Sequence, residues 1–195
     1  MEPTDEVLAQ RSQEGDANAF AELMRRHQQS VFRIAHHISG SMEDAEDLCQ
    51  ECFLKLHFAL RQYNRRYPFR PWFYRIAVNV CIEFARRRRS QPVWTSLFSP
   101  RGRTDQDGPV PELPSTAPTP EEELLTREQR RELLQALMSL PPNHRAILVL
   151  RYLEGCSYKE LADILKVPER TVGIRLLRAK QTLRRKLEQT GERGR

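Results

Sequence analysis

Apolar residues recur three and four positions apart through most of this chain, which is the spacing of one face of an α-helix. Phe20, Leu23, Met24, His27, Val31, Ile34, Ala35 and Ile38 form one such stripe, and Leu48, Cys52, Leu56 and Leu60 form a second; both segments predict amphipathic helices. A third helix is predicted to start after Pro71, whose fixed φ suits a first helical position, and to run through Ile76, Ala77, Val80 and Phe84 into Arg86–Arg89, with Asn64 to Arg70 as a loop before it. Thr119-Pro120-Glu121-Glu122 has the order of a capping box and opens a helix to about Leu140. Pro141-Pro142 breaks the chain, and the next helix reaches Glu154, where Gly155 supplies a stop. Ser157-Tyr158-Lys159-Glu160 is a second capping box and begins a short helix, Tyr158–Leu165, with Leu161, Ala162 and Leu165 inward. After a tight turn at Lys166-Val167-Pro168, a long helix carries Val172, Leu176, Ala179, Leu183 and Leu187 on one stripe. No stretch alternates with period two over six or more residues, so no sheet is predicted and the fold is all-α.

Seven of the thirteen prolines fall between Pro92 and Pro120, where apolar periodicity is lost. Residues 93–119 are therefore expected to be a flexible Pro-rich linker between two small helical domains, 1–92 and 120–190, the second a four-helix helix-turn-helix domain. A chain of 195 residues that is 39% hydrophobic and 30% charged can bury a core. It holds no run of about 18 apolar residues and no secretory leader, so no membrane span is expected and the cytoplasm is the expected location.

Net charge of +6 hides four blocks. Residues 1–60 are acidic, 61–103 hold eleven basic residues and one acidic residue, 104–123 hold six acidic and no basic residues, and 124–195 are basic again. Nine of the fifteen aromatics also lie in 61–103, among them Tyr63, Tyr67, Phe69, Trp72, Phe73 and Tyr74. Cations beside flat rings suit unpaired nucleic acid, since phosphates are neutralised while splayed bases stack; the plainer reading is a basic face over an aromatic core. In the second basic block the helix, short turn and basic helix form a helix-turn-helix pattern, whose second helix would enter the major groove with Arg170, Thr171, Arg175, Arg178 and Lys180 away from the apolar stripe.

Together these segments resemble the sigma factors of bacterial RNA polymerase, in the small two-domain extracytoplasmic-function group. Asp44-Ala45-Glu46-Asp47-Leu48-Cys49-Gln50-Glu51-Cys52-Phe53 resembles that family's core-binding helix, Pro71-Trp72-Phe73-Tyr74-Arg75-Ile76-Ala77-Val78-Asn79 through Arg86 its promoter-melting helix, and Tyr158 to Leu183 its upstream-element helix-turn-helix. The resemblance implies that Asp44, Asp47, Leu48 and Glu51 bind core polymerase; the three carboxylates share a helix face by spacing, and by similarity that face docks on a basic coiled coil. It implies that Tyr63, Arg75, Asn79, Arg86 and Arg87 hold the melted minus-ten strand, with Tyr63 stacking on or walling off a flipped base and Asn79 reading its edge. Trp72 and Ile76 are expected mostly in the core. Arg170, Thr171, Arg175 and Arg178 are the expected minus-thirty-five contacts. Partners implied are core polymerase, promoter DNA and an anti-sigma factor; no cofactor, metal, small-molecule substrate or catalytic residue is expected.

Three departures from the family pattern stand out. Glu83 replaces the usual Asp, Arg170 replaces a glycine, and Gly173-Ile174 replace a polar pair that often touches bases. Cys49-Gln50-Glu51-Cys52 lies within a helix with no second cysteine pair to complete a zinc site, which favours buried thiols. Two other readings stay open: a free-standing helix-turn-helix regulator, which leaves the aromatic-basic block unexplained, and a metal-dependent DNA-processing enzyme using the acidic helix.

Overall fold

The computed structural model describes residues 2–90 and 120–191, which form eight α-helices and no strand. The predicted linker, and the Thr119 cap before the fifth helix, lie outside the described residues. In order the helices are α1 (Asp5–Gln13), α2 (Ala17–Ser39), α3 (Met42–Leu60), α4 (Phe69–Ser90), α5 (Pro120–Met138), α6 (Pro142–Leu148), α7 (Tyr158–Leu165) and α8 (Glu169–Gly191).

Local chemistry sets most of the boundaries. The Asp16 carboxylate accepts from the Asn18 and Ala19 N–H groups to start α2, and Gly40, at φ +81°, ends it in the left-handed region. Ser41 then caps α3 through the Asp44 N–H. Helix α4 starts at Phe69, two residues earlier than Pro71 predicts. The cause is distant in sequence: Glu6 of α1 accepts from the Phe69 N–H at 3.0 Å and so supplies the missing cap. Pro71 remains within the first turn, where it has no intrahelical donor to lose.

Beyond α6 the chain does not continue as an α-helix to Glu154. Val149–Leu153 widen into a π-helical turn, with the Glu154 N–H reaching back five residues to the Val149 carbonyl. A wider turn takes up one extra residue and rotates the succeeding residues by about 100° relative to a regular helix. Gly155 then reverses the chain at φ +66°, and α7 begins on the predicted capping box, with both of its hydrogen bonds formed.

Helices α2, α3 and α4 bury Leu23, Ile34, Ile38, Leu56, Phe73 and Ala77 between them, and α1 meets the middle of α2, the end of α3 and the start of α4. The C-terminal helices bury Leu140, Ile147, Leu150, Leu161, Val172 and Ala179. These apolar groups are not two isolated cores, since α4 packs on α6 and α7, α2 packs on α5 and α6, and the buried side chains are continuous. At the seam Glu154, with 1% of its side chain exposed, accepts from Arg33 Nε at 2.9 Å and Nη2 at 3.1 Å, and Tyr74 Oη lies 3.5 Å away. Arg70 donates to the Glu154 carbonyl and, at 2.9 Å, to Glu160. Buried Arg145 donates across the seam to the Ile38 carbonyl and within its own group to the Met138 and Leu140 carbonyls.

Candidate nucleic-acid interface

Three surfaces carry the residues singled out by the sequence. On α3, Asp47 and Glu51 point to solvent, and Lys55 reaches Glu51 at 2.7 Å one turn along. Asp44 is half-buried and paired with Arg88 of α4, so part of its charge is already answered within the chain. Leu48 is a correction: at 2% exposed it lies in the core beneath this face and shapes it without reaching a partner. Leu54 and Phe58, 57% and 61% exposed, continue the Asp47–Glu51 row at helical spacing. Sequence reasoning passed over this apolar half; the signal available was two large apolar residues off the buried stripe.

On α4, Arg75, Asn79 and Arg86 fall at i, i+4 and i+11, one row along the helix. Asn79 and Arg86 are exposed and Arg75 is half-buried. Arg86 donates to Asn143 Oδ1 at 3.2 Å, and Arg87 pairs with Glu83 one turn back. Trp72 and Ile76 pack against the core with part of each ring or chain still open.

The loop before α4 differs from expectation in one respect. Tyr63 is buried, its ring centroid 4.7 Å from that of Trp72 and 5.5 Å from that of Phe69, and its hydroxyl donates to the Tyr67 carbonyl at 2.6 Å. Burial pushes the phenol up to about 12. It has no free face for a base and instead braces the loop from behind. The exposed ring there is Tyr67, 66% open and preceded by exposed Arg65 and Arg66. Asn64 shapes this turn through the Arg66 and Tyr67 N–H groups, and Gln13 ties it to α1 through the Leu60 and Tyr63 carbonyls.

The third surface is the α7–α8 pair. Lys166, at φ +51°, makes the turn, and α8 buries Val172, Leu176 and Ala179 with Leu183 half-buried. Ile164 joins Leu161 in the core, while Ala162 and Leu165 are half-buried. Arg170, Arg175 and Arg178 are exposed and Thr171 is half-buried, so all four lie off the buried stripe. Elsewhere the four cysteines are free and buried. Burial pushes the Cys49 and Cys156 thiols up to about 11, and contact with Cys81, together with burial, pushes Cys52 up as well. Such thiols are protonated at neutral pH and poor as nucleophiles or ligands.

Comparison with known proteins bears on all three surfaces. Sigma-70 region 2 matches residues 23–91, which contain α3 and α4, and Sigma-70, region 4 matches residues 130–183, which contain the helix-turn-helix. The ECF RNA polymerase sigma-E factor of Escherichia coli K12 is 32% identical over 95% of this chain and 95% of its own length. This chain belongs to the ECF group of the sigma-70 family. Two solved structures share the sigma-factor fold: CnrH in complex with the cytosolic domain of CnrY, at TM-score 0.67 and 23% identity over 94% of this chain and 97% of that one, and the sigma factor RpoE with the anti-sigma factor NepR from Bartonella quintana, at TM-score 0.60 and 20% identity over 87% and 96%. Within this ECF sigma factor, no described helix is long and apolar enough to cross a membrane.

Proposed function

We propose that this ECF sigma factor directs bacterial core RNA polymerase to specific promoters by dividing labour among the three surfaces. Residues 1–92 serve core binding and the minus-ten element, 93–119 connect, and 120–190 serve the minus-thirty-five element. Asp44, Asp47 and Glu51 offer negative charge to a basic element of the polymerase, where complementarity favours fast and selective encounter. Arg75 and Arg86 hold phosphates of the separated strand, Arg87 adds charge beside them, and Asn79 between them both donates to and accepts from a base edge. Tyr63 acts from behind the base-capturing loop. Arg170, Thr171, Arg175 and Arg178 approach the duplex in the major groove.

The row of Arg75, Asn79 and Arg86 on one face of α4 carries this reading, because it interleaves phosphate binders with a base reader on the helix that region 2 contributes. Strand opening then requires no nucleotide hydrolysis, since capture of unpaired bases offsets a few kcal/mol of lost stacking per flipped base. The factor works as an initiation subunit without chemistry of its own, in the cytoplasm, and an anti-sigma factor is a natural partner because related folds have been solved with one. The test is run-off transcription with purified core polymerase on a genomic DNA library: promoter-selective transcripts are expected, and their absence together with failure to co-purify with core would overturn the reading. Asn79→Ala should depress transcription from a duplex promoter and spare binding to the closed duplex; equal loss on pre-melted and duplex templates contradicts a role in opening.

A further inference from the structure

Helix α8 carries an unusual side chain on its outer face. Ile174 is 52% exposed and sits opposite the buried row of Val172, Leu176 and Ala179. Arg170 and Thr171 precede it by four and three residues, and Leu177 and Arg178 follow by three and four, so these five share one surface. From 170 to 187 the helix holds seven basic residues and no acidic one. Beside Ile174, Gly173 leaves its side of the helix open, with only the Tyr158 ring, at 3.7 Å, near the point that a Cβ would occupy. An apolar side chain set among guanidinium groups, with bare backbone at its side, is matched by a polyanion that presents an apolar point at close range.

Duplex DNA does so at thymine, whose C5-methyl projects into the major groove beside the phosphates that arginines bind. We propose that Ile174 is a specificity-determining residue that packs on a thymine methyl in the minus-thirty-five element. The proposal rests on α8 being the duplex-reading helix. Ile174 lies in the second turn of α8, within the N-terminal part that meets base edges in helix-turn-helix proteins. Having no donor or acceptor, its side chain discriminates by the methyl alone: thymine over cytosine, and over uracil, which differs from thymine only at that carbon.

The test uses the full chain with core polymerase. Duplexes randomised over the minus-thirty-five region are selected for binding, and each thymine of the selected site is then replaced singly by deoxyuridine. One position is expected to lose about four-fold in affinity, the worth of one buried methyl-sized group. Ile174→Ala, a change at an exposed helical position that withdraws the side chain from the methyl, should lose most of the difference between the thymine and deoxyuridine duplexes, and selection with it should relax at that base pair alone. Arg178→Ala should weaken both duplexes while keeping their ratio. If the wild-type chain binds every deoxyuridine duplex as tightly as its parent, the proposal fails while the duplex-reading role stands. If Ile174→Ala instead loses core polymerase and keeps the thymine preference, the residue faces protein and the proposal fails as well. If no site is enriched, the helix-turn-helix reading falls together with it.

Discussion

At Gly40 two demands meet on one residue. Its φ of +81° lies where a Cβ is strained, and a Cβ built there would collide with Met138 Cε, the far end of a flexible side chain from α5. Gly40→Ala is therefore expected to destabilise the protein by about 1–2 kcal/mol, mainly through the backbone, because Met138 can turn aside. Chemical denaturation measures this, and Met138→Ala in the same chain should relieve only the smaller, steric part. Burial separated residues that sequence alone grouped together. Leu48 and Asp47 are neighbours in a motif, yet one lies in the core and the other faces solvent; Tyr63 reads as a base platform from its company, yet Trp72 and Phe69 cover it. Leu177 went the other way, since an apolar residue in a helix with a good stripe is easily overlooked when it stands off it, whereas Ile174 showed itself only as a departure from a polar pair.

Among the elements, α1 shows how a weak sequence signal can mark an anchor. It buries little beyond Leu8 and Ala9, and no stripe announces it. Its value is polar: Glu6 caps α4, Gln13 holds the loop after α3, and Asp5 accepts from His27 at 2.8 Å and Arg26 at 3.1 Å. The hydrogen bond to His27 holds the Asp5 carboxyl below its usual value against the opposing effect of burial, with Arg26 assisting. A depressed carboxyl stabilises the fold above its unfolded value, near pH 4, and that contribution fades as pH falls through the folded value. Asp5→Asn should thus lower the thermal midpoint at pH 6 and narrow the gap to wild type near pH 3; a gap that stays constant would exclude the linkage. Glu22 and Glu160 are shifted in the same sense, so the Asp5→Asn protein keeps some acid sensitivity. Ser157→Ala removes one half of a complete capping box and should cost about 1 kcal/mol, or roughly 2–4 °C in thermal midpoint for a chain of this size, with co-purification of core polymerase unchanged. Helices α2, α3, α7 and α8 were legible because 3.6-residue spacing and caps are local properties. The early start of α4 was not, since it depends on Glu6 far back along the chain, and neither was the widened turn after α6, which no cap or break in the spacing announces.

For the whole molecule, the contact between α4 and α7 conflicts with reading two promoter elements at once. Their names place the elements about 25 base pairs apart, roughly 85 Å of duplex, whereas here the helices proposed to read them belong to groups that touch through α4 and α7. On that proposal the two groups of helices are expected to part on the promoter, and 29 residues, the number from 91 to 119, span at most about 100 Å when fully extended. Glu154→Gln should favour parting by roughly 2 kcal/mol, the worth of hydrogen bonds to a charged group. Small-angle scattering should then show a larger radius of gyration for the free variant, and unchanged dimensions would mean that the apolar seam alone sets closure. None of this was readable beforehand, because Arg33 and Glu154 stand 121 residues apart and no periodicity links them.

The setting of Glu154 also fixes the manner of parting. A carboxylate with almost no contact with water gains little from a small displacement, because it would lose Arg33 before solvent could replace it. Intermediate separations are therefore expected to be sparsely populated, so that parting should occur as a nearly all-or-none step. A partner that grips only the separated form has to overcome the whole cost of parting, and one that grips only the joined form adds to it. Single substitutions at this carboxylate should therefore reset how much polymerase is needed for half-maximal transcription, leaving the choice of promoter unaltered.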